Sequence, residues 1–356
     1  MRVAVGLSGG VDSSVAASIL KEQGHDVIGI FMDTWPGGDS PALKNRGCYG
    51  PREHEIHQAS AVARDLDIPF HVLDLSREFD EIVLGYFRSE YLSGRTPNPC
   101  LRCNPRVKFG AMLDKARKSG IAFDKFATGH YARVEFDDNS GRHILKRAMD
   151  HAKDQSYGLI FLSQEQLSKI IFPLGSITKQ EVRKIARKLG LASSDAPESQ
   201  DFYGGDIADL MGAEPKPGRI LDTSGKEVGT HDGIWQYTIG QRRGLGIAAR
   251  YPAYVKSIDP ENNAIIIGKK AELFSKGLVA GQVNFVSVDA IPSEIRVGVR
   301  IRHTQDMIPG TAEIDEYGNL LARFDEPQWA VAPGQAVGVY SGDTVLAGGI
   351  IEKSLD

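Results

Sequence analysis

Cysteine is scarce in this chain, with three thiols (Cys48, Cys100, Cys103) in 356 residues. That excludes a fold stapled by disulfides. No apolar run approaches the roughly 20 residues that cross a bilayer. No charged-then-apolar leader precedes the first strand-like run at Arg2, so a cytoplasmic protein without a membrane partner is expected. Net charge is −4, so the whole chain lacks the basic excess of a DNA-binding protein. A local basic face stays open, because net charge says nothing about distribution. The glycine-rich N-terminal run has no lysine behind it, unlike Gly-x-x-x-x-Gly-Lys-Ser/Thr loops. Nor is it Gly-x-Gly-x-x-Gly, so the dinucleotide fingerprint is missing too.

The run that is present carries the strongest signal. Arg2-Val3-Ala4-Val5-Gly6-Leu7 breaks into Ser8-Gly9-Gly10-Val11-Asp12-Ser13-Ser14, and an alanine-rich stretch follows from Val15 to Leu20. This reads as strand, loop, helix. Glycines let the backbone approach an anion closely. N–H groups of Gly9, Gly10 and the first helical turn then point at that anion, with the helix dipole behind them. A phosphate-bearing ligand is expected there.

Downstream, strand-like and helix-like segments alternate. Val27–Met32, Phe70–Leu75 and Phe126–Tyr131 read as strands; 56–66, 79–91 and 107–118 read as helices. Alternation predicts an α/β fold with a doubly wound parallel sheet. Ligands in such sheets bind beyond the carboxyl ends of strands. The Ser8 loop, Met32 and Gly129 each lie at such an end. A polar Gly/Pro-rich insertion at 34–54 carries Cys48 and suits a functional loop. Two helix starts at 163 and 178 carry capping boxes, Ser163/Gln166 and Thr178/Glu181. Beyond about Tyr254, alternating runs separated by turn residues predict a small β-barrel or sandwich. The expected domains are 1–162, 163–248 and 249–356.

Cys100 and Cys103 form a Cys-x-x-Cys pair within Pro97-Asn98-Pro99-Cys100-Leu101-Arg102-Cys103-Asn104. Such a pair can be redox-active, metal-binding or nucleophilic. The two prolines stiffen the approach.

Ser8–Ser13 resembles the PP-loop of the ATP pyrophosphatases, which cleave ATP between the α- and β-phosphates and adenylate a substrate. Six further motifs follow in one order: Thr96-Pro97-Asn98-Pro99, Cys103-Asn104, Ala127-Thr128-Gly129-His130-Tyr131, Lys153-Asp154-Gln155-Ser156-Tyr157, Gly240-Gln241-Arg242-Arg243-Gly244-Leu245-Gly246 and Pro333-Gly334-Gln335. With the loop they resemble the tRNA-specific 2-thiouridylases over essentially the whole chain. The resemblance implies a PP-loop domain, a small central domain and a C-terminal β-barrel. It implies ATP and Mg²⁺ as cofactors, the anticodon arm of tRNA as partner, and a sulfur donor, whether protein or sulfide. The reaction it implies is adenylation of the wobble uridine 2-oxygen, then its replacement by sulfur. Gly6, Leu7, Ser8, Gly9, Gly10, Val11, Asp12, Ser13, Met32 and Gly129 would hold the nucleotide, with Asp12 managing magnesium and pyrophosphate. Cys103 would be the catalytic cysteine. Asn98, Pro99 and Cys100 would line the target base. His130, Lys153, Asp154, Gln155, Arg302, His303 and Gln335 would contact tRNA; His130 also reads as a packed histidine. Arg242 and Arg243 suit phosphate contacts.

The chain departs from the family at the second cysteine. Many members carry one just after the segment seen here as Glu198-Ser199-Gln200; this chain continues Asp201-Phe202-Tyr203-Gly204-Gly205-Asp206. Cys100 stands where others have Asp. Two routes for sulfur stay open. Cys48, Cys100 and Cys103 could ligate a [4Fe-4S] cluster with one iron left for sulfide. Alternatively Cys103 carries a persulfide that Cys100 or Cys48 resolves. Two other functions share parts of the pattern: a PP-loop ligase that needs no cysteine, and a tRNA-binding protein that has lost sulfur transfer.

Overall fold

The structure is a computed structural model that describes residues 1–37, 47–191, 201–212, 214–247 and 251–356. It divides into two compact units. One comprises residues 1–83, 100–205 and 343–345, the other 84–99, 206–342 and 346–356. The expected segments 1–162, 163–248 and 249–356 divide the chain differently. Residues 163–191 belong with the nucleotide-loop unit, because Val182 and Ala186 share a core with Val11, Val15 and Ala16.

The first unit is built on a parallel sheet. Its strands are β1 (Arg2–Gly6), β2 (Asp26–Asp33), β4 (Phe70–Asp74), β5 (Lys125–Ala127) and β8 (Ile170–Ile171), in the order β4-β2-β1-β5-β8. Val3, Ala4 and Val5 of β1 are fully buried. A central parallel strand is covered on both faces, which is why it reads as an unbroken apolar run. Helix α1 (Val11–Glu22) follows β1, and helix α2 (Glu53–Asp65) precedes β4. Two short strands, β3 (Gly47–Tyr49) and β9 (Asp201–Tyr203), pair in parallel, and β6 (Ala132–Asp137) with β7 (Arg142–Arg147) forms a hairpin. The expectation for 34–54 meets described structure only in part, since 38–46 lie outside it, as do Glu198, Ser199 and Gln200.

Several helices come out shorter or wider than the periodicity suggests. The stretch 79–91 is an α-turn, a π-helical turn at Asp80–Leu84 and then the helix Gly85–Leu92. Cys103–Ala111 is π-helical and passes into the α-helix Met112–Lys118. The stretch 163–171 is a single helical turn, Gln164–Leu167, and then strand β8. Both capping boxes are present, Ser163 with Gln166 and Thr178 with Glu181.

The second unit holds two β-layers. Strands β10 (Gly218–Asp222), β11 (Glu227–His231), β12 (Ala253–Asp259) and β13 (Ala264–Lys269) form a sheet in the order β11-β10-β13-β12. Strands β12 and β13 were expected in the barrel. Instead β13 pairs with β10, where Ile220 meets Ile265, β12 pairs with β13, and all three share a core with Tyr237 and Leu245. The barrel is made of β14 (Phe274–Phe285), β15 (Ile295–Arg300), β16 (Ile308–Ile314), β17 (Leu320–Trp329), β18 (Ala336–Ser341) and β19 (Thr344–Leu355). Pairing of β14 with β19 closes it. Closure removes the exposed edges that an open sheet would present.

Candidate functional site

Strand β1 stops at Gly6 and α1 starts at Val11, so four residues make the loop. Gly9 has φ +78°, and a Cβ there would lie 2.8 Å from the Glu55 carbonyl oxygen. Only glycine fits both demands. The serines lock the loop: the Ser8 N–H donates to Ser13 Oγ at 3.1 Å, and Ser13 Oγ donates to the Gly10 carbonyl at 3.0 Å. Ser14 Oγ donates to that same carbonyl at 2.9 Å. Gly129, at the carboxyl end of β5, abuts the first turn of α1. A Cβ on it would meet the Asp12 carbonyl carbon at 2.7 Å and the Ser13 nitrogen at 2.8 Å. Gly10, the N-cap, makes no side-chain cap bond, so the first N–H groups of α1 lack that partner and suit an anion. Met32 lies at the carboxyl end of β2, half-buried.

Asp12 has partners that the sequence did not disclose. The Lys179 ammonium donates to Asp12 Oδ1 at 2.7 Å and Oδ2 at 2.8 Å, and the Tyr131 hydroxyl donates to Oδ1 at 2.9 Å. The lysine side chain is 8% exposed and the aspartate 30%. Gln155 brackets Tyr131: its Oε1 accepts from the Tyr131 N–H at 2.9 Å, and its N–H donates to the Tyr131 carbonyl at 2.8 Å. Mg²⁺ bound with phosphates needs only one or two protein carboxylates. Asp12 at the loop mouth fits that demand.

The cysteine segment is held by amides. Buried Asn104 donates to the Gly158 carbonyl at 2.7 Å. Gln166 Nε2 donates to the Pro105 carbonyl at 2.6 Å and the Phe109 carbonyl at 3.0 Å. The two Gln166 bonds brace the π-helical turn, and the Asn104 bond ties it to the turn at Ser156–Leu159. Cys48 and Cys100 reach solvent and Cys103 is half-buried. The surrounding protein still desolvates the two later sulfurs. Burial pushes the Cys103 thiol up to about 12, and the positive charge of Lys108 opposes the rise. Burial, then the nearby Cys48, pushes the Cys100 thiol up to about 11, again opposed by Lys108. Both are therefore neutral thiols near pH 7 in the ligand-free protein. Among the described residues, no group of three or more His, Cys, Asp or Glu side chains is placed to hold a metal ion. Cys48 acts on the Cys100 thiol and both act on the Cys103 thiol, so the three sulfurs lie within electrostatic reach of one another.

His130 Nδ1 pairs with Thr128 Oγ1 at 2.7 Å, and its ring packs 5.9 Å from Phe109 and from Phe172. Burial, then the Lys108 charge, holds it well below the usual imidazole range. Its ring is neutral, so it offers RNA no positive charge. Asp154 is turned inward, with no exposed side chain. It accepts from the Ala148 N–H at 3.0 Å, the Ser156 N–H at 3.2 Å and Ser156 Oγ at 2.8 Å. In the ligand-free protein its carboxylate shapes the loop. Lys153, beside it, is half-buried.

In the second unit, Gln335 Nε2 donates to the Thr96 carbonyl at 3.0 Å and the Pro97 carbonyl at 3.3 Å, while the Thr96 N–H donates to the Pro333 carbonyl at 2.8 Å. A Cβ on Gly334 (φ +89°) would lie 2.8 Å from the Thr96 nitrogen. The motifs at 96–99 and 333–335 therefore clasp each other, and the Gln335 amide serves that clasp. Arg302 lies 5.3 Å over the Trp329 ring and donates to the Ala330 carbonyl at 2.6 Å. His303, Arg242 and Arg243 are exposed. Arg242 lines a cavity of about 330 Å³ with Leu245, Gly246, Tyr251 and Pro252.

A parallel sheet, a glycine loop leading into a helix and a carboxylate at its mouth define a nucleotide-binding α/β unit. Residues 1–203 match the family described as the tRNA methyl transferase HUP domain, 210–269 its PRC-barrel domain, and 275–351 the aminomethyltransferase β-barrel domain. The chain is 45% identical over 359 residues to a tRNA-specific 2-thiouridylase of Acetivibrio thermocellus, covering 99% of each. It is 44% identical to one of Endomicrobium trichonymphae over 99% of each, and 43% to one of Carboxydothermus hydrogenoformans over 99% of this chain and 98% of that one. The chain belongs to the tRNA-specific 2-thiouridylase family. Among the described residues no helix is long and apolar enough to cross a membrane.

Proposed function

We propose that the protein is a tRNA-uridine 2-sulfurtransferase that uses ATP to activate the uracil 2-oxygen. Family membership along the whole chain supports the tRNA substrate. The observation that carries the mechanism is a phosphate cradle and a cysteine pair held on one unit, by Gly129 against α1 and by Asn104 against Gly158.

A uracil carbonyl oxygen is a poor leaving group. Attack of that oxygen on the α-phosphorus of ATP expels pyrophosphate and leaves an adenylated base. The loop N–H groups and the α1 dipole stabilise the charge that develops on the phosphates. Asp12 would hold Mg²⁺, which neutralises the leaving pyrophosphate. The base must leave its stack to reach such a site; Asn98, Pro99 and Cys100 would line it. The terminal sulfur of a Cys103 persulfide then attacks carbon 2, and AMP leaves with the former 2-oxygen. Cys100 or Cys48, as thiolate, attacks the Cys103 sulfur. The S–S electron pair departs with the new 2-thiouridine, and a protein disulfide remains for an external thiol to reduce. The sulfur enters from a donor protein or from sulfide plus an oxidant. Lys108, His130, Lys153, Arg242, Arg243, Arg302 and His303 would meet the anticodon arm or the sulfur centre through positive charge or packing.

Nucleoside mass analysis after incubating tRNA with ATP, Mg²⁺, a persulfide donor and the protein tests this reading. Gain of 2-thiouridine, with one pyrophosphate and one AMP per base, is expected from iron-free protein. Pyrophosphate release with no thiolated base, by both iron-free and iron-reconstituted protein, would point to a different PP-loop ligase. tRNA binding without pyrophosphate would point to a protein that has lost the chemistry.

A further inference from the structure

The phosphate loop contains no lysine, yet the fold brings one to it. Lys179 is the first residue of the helix Lys179–Lys188. Three features fix that first turn. Thr178 and Glu181 form its capping box, the Lys179 N–H donates to Asp150 Oδ2 at 2.9 Å, and Val182 and Ala186 pack on Val11 and Val15 of α1. The side chain then passes 5.7 Å over the Tyr131 ring to reach both oxygens of Asp12.

An ammonium buried to this degree needs an anion at hand, because desolvating it uncompensated costs several kcal/mol. In the ligand-free protein Asp12 is that anion. Asp12 is also the carboxylate that would hold Mg²⁺, and a cation on its oxygens displaces the ammonium. The replacement anion within reach is the phosphate chain in the cradle, since Asp12 sits two residues after Gly10 on the same helix end.

Resting on the adenylation reading above, we infer that Lys179 is a catalytic residue. It moves from Asp12 to the β- and γ-phosphate oxygens as magnesium ATP enters, and it stays with the departing pyrophosphate. It supplies from 167 positions away the point charge that Walker-type loops carry within themselves. Lys179 also holds Asp12 in place while the cradle is empty.

Nucleotide titration of the full chain separates this from a merely structural ion pair. The probes are the non-hydrolysable α,β-methylene analogue of ATP with Mg²⁺, and AMP. In Lys179→Met, affinity for the analogue should fall about ten- to a hundredfold, the usual scale for a charge-assisted contact. Affinity for AMP should stay within about twofold, and pyrophosphate release with saturating tRNA should fall at least tenfold. A variant that melts earlier but keeps the wild-type ratio of the two affinities overturns the inference. Should Lys179→Met fail to fold, Lys179→Gln keeps a hydrogen bond to Asp12 without the charge, and the same ratio decides. Wild-type protein that binds neither probe would overturn the adenylation reading itself.

Discussion

Cys103 sits where protein surrounds its sulfur and Lys108 supplies a positive charge. The thiolate, not the thiol, is the nucleophile. Alkylation of Cys103 in the ligand-free protein should therefore speed up about tenfold per pH unit from pH 7 to 9, with no plateau below about pH 10. Mass mapping of iodoacetamide adducts checks this, and Lys108→Met should slow the reaction at each pH. The same shifts act on stability. Both folded thiols titrate above their ordinary value, about 11 for Cys100 and about 12 for Cys103. The unfolded chain therefore loses those protons first. Stability is complete below about pH 8.5 and declines as pH rises toward 11–12. Urea midpoints at pH 8 and pH 10.5 should differ in that direction, and less so in Cys103→Ala. In the proposed reaction Cys103→Ala reduces 2-thiouridine to background while tRNA-dependent pyrophosphate release continues. Ser8, Ser13 and Cys103 are legible in the sequence because their chemistry is local, in the loop or in the Cys-x-x-Cys pair. Lys179 is not, because the Thr178 capping box marks where its helix starts but not that the helix packs against α1 beside Asp12. Asp154 reads as a surface acid until Arg147, Ala148 and Ser156 are seen around it.

At the scale of elements, close approaches fix the site. Gly129 lets β5 meet α1, so Gly129→Ala forces a methyl onto the Asp12 and Ser13 backbone. Overpacking of that kind costs about 1–3 kcal/mol. Melting temperature should fall, and affinity for the α,β-methylene analogue should fall with it, since the displaced group is the cradle. Asn104→Ala works differently. It leaves the Gly158 carbonyl unmet at a cost of about 1–3 kcal/mol, read by urea titration, with nucleotide affinity little changed. Helix starts were readable from Ser163 and Thr178, because a capping box is a four-residue pattern. The π-turn at Cys103–Ala111 was not. Its apolar spacing mimics an α-helix, and the side-chain bonds that brace it come from Gln166, about sixty residues on. Likewise the alternation in β12 and β13 announces strands without naming their partner, and β10 takes them out of the barrel.

For the whole molecule, a net charge of −4 must coexist with a polyanionic substrate, so positive charge has to be local. Exposed Arg242 and Arg243 offer such a place. If both meet phosphates, the slope of log affinity against log salt should become shallower by roughly 1.4–1.8 in the double alanine variant, by counterion release. Filter binding of tRNA from 50 to 300 mM salt measures it, and an unchanged slope assigns the two arginines to a solvated turn. The α/β class, the barrel and the order of motifs were all legible, because each rests on local periodicity. The division into units was not, because residues 84–99 leave the nucleotide unit in sequence and belong to the other in space.

The clasp between Thr96 and the Pro333-Gly334-Gln335 turn has a consequence for dissection. A fragment ending at Gly205 would still carry residues 84–99, stripped of the partner that orders them. A fragment starting at Asp206 would have an empty seat where they belong. Neither half is self-sufficient, yet each holds the other's missing piece. The protein is therefore a natural candidate for split-enzyme complementation: the two fragments, expressed as separate chains, should find each other through a sixteen-residue handle that the fold already supplies.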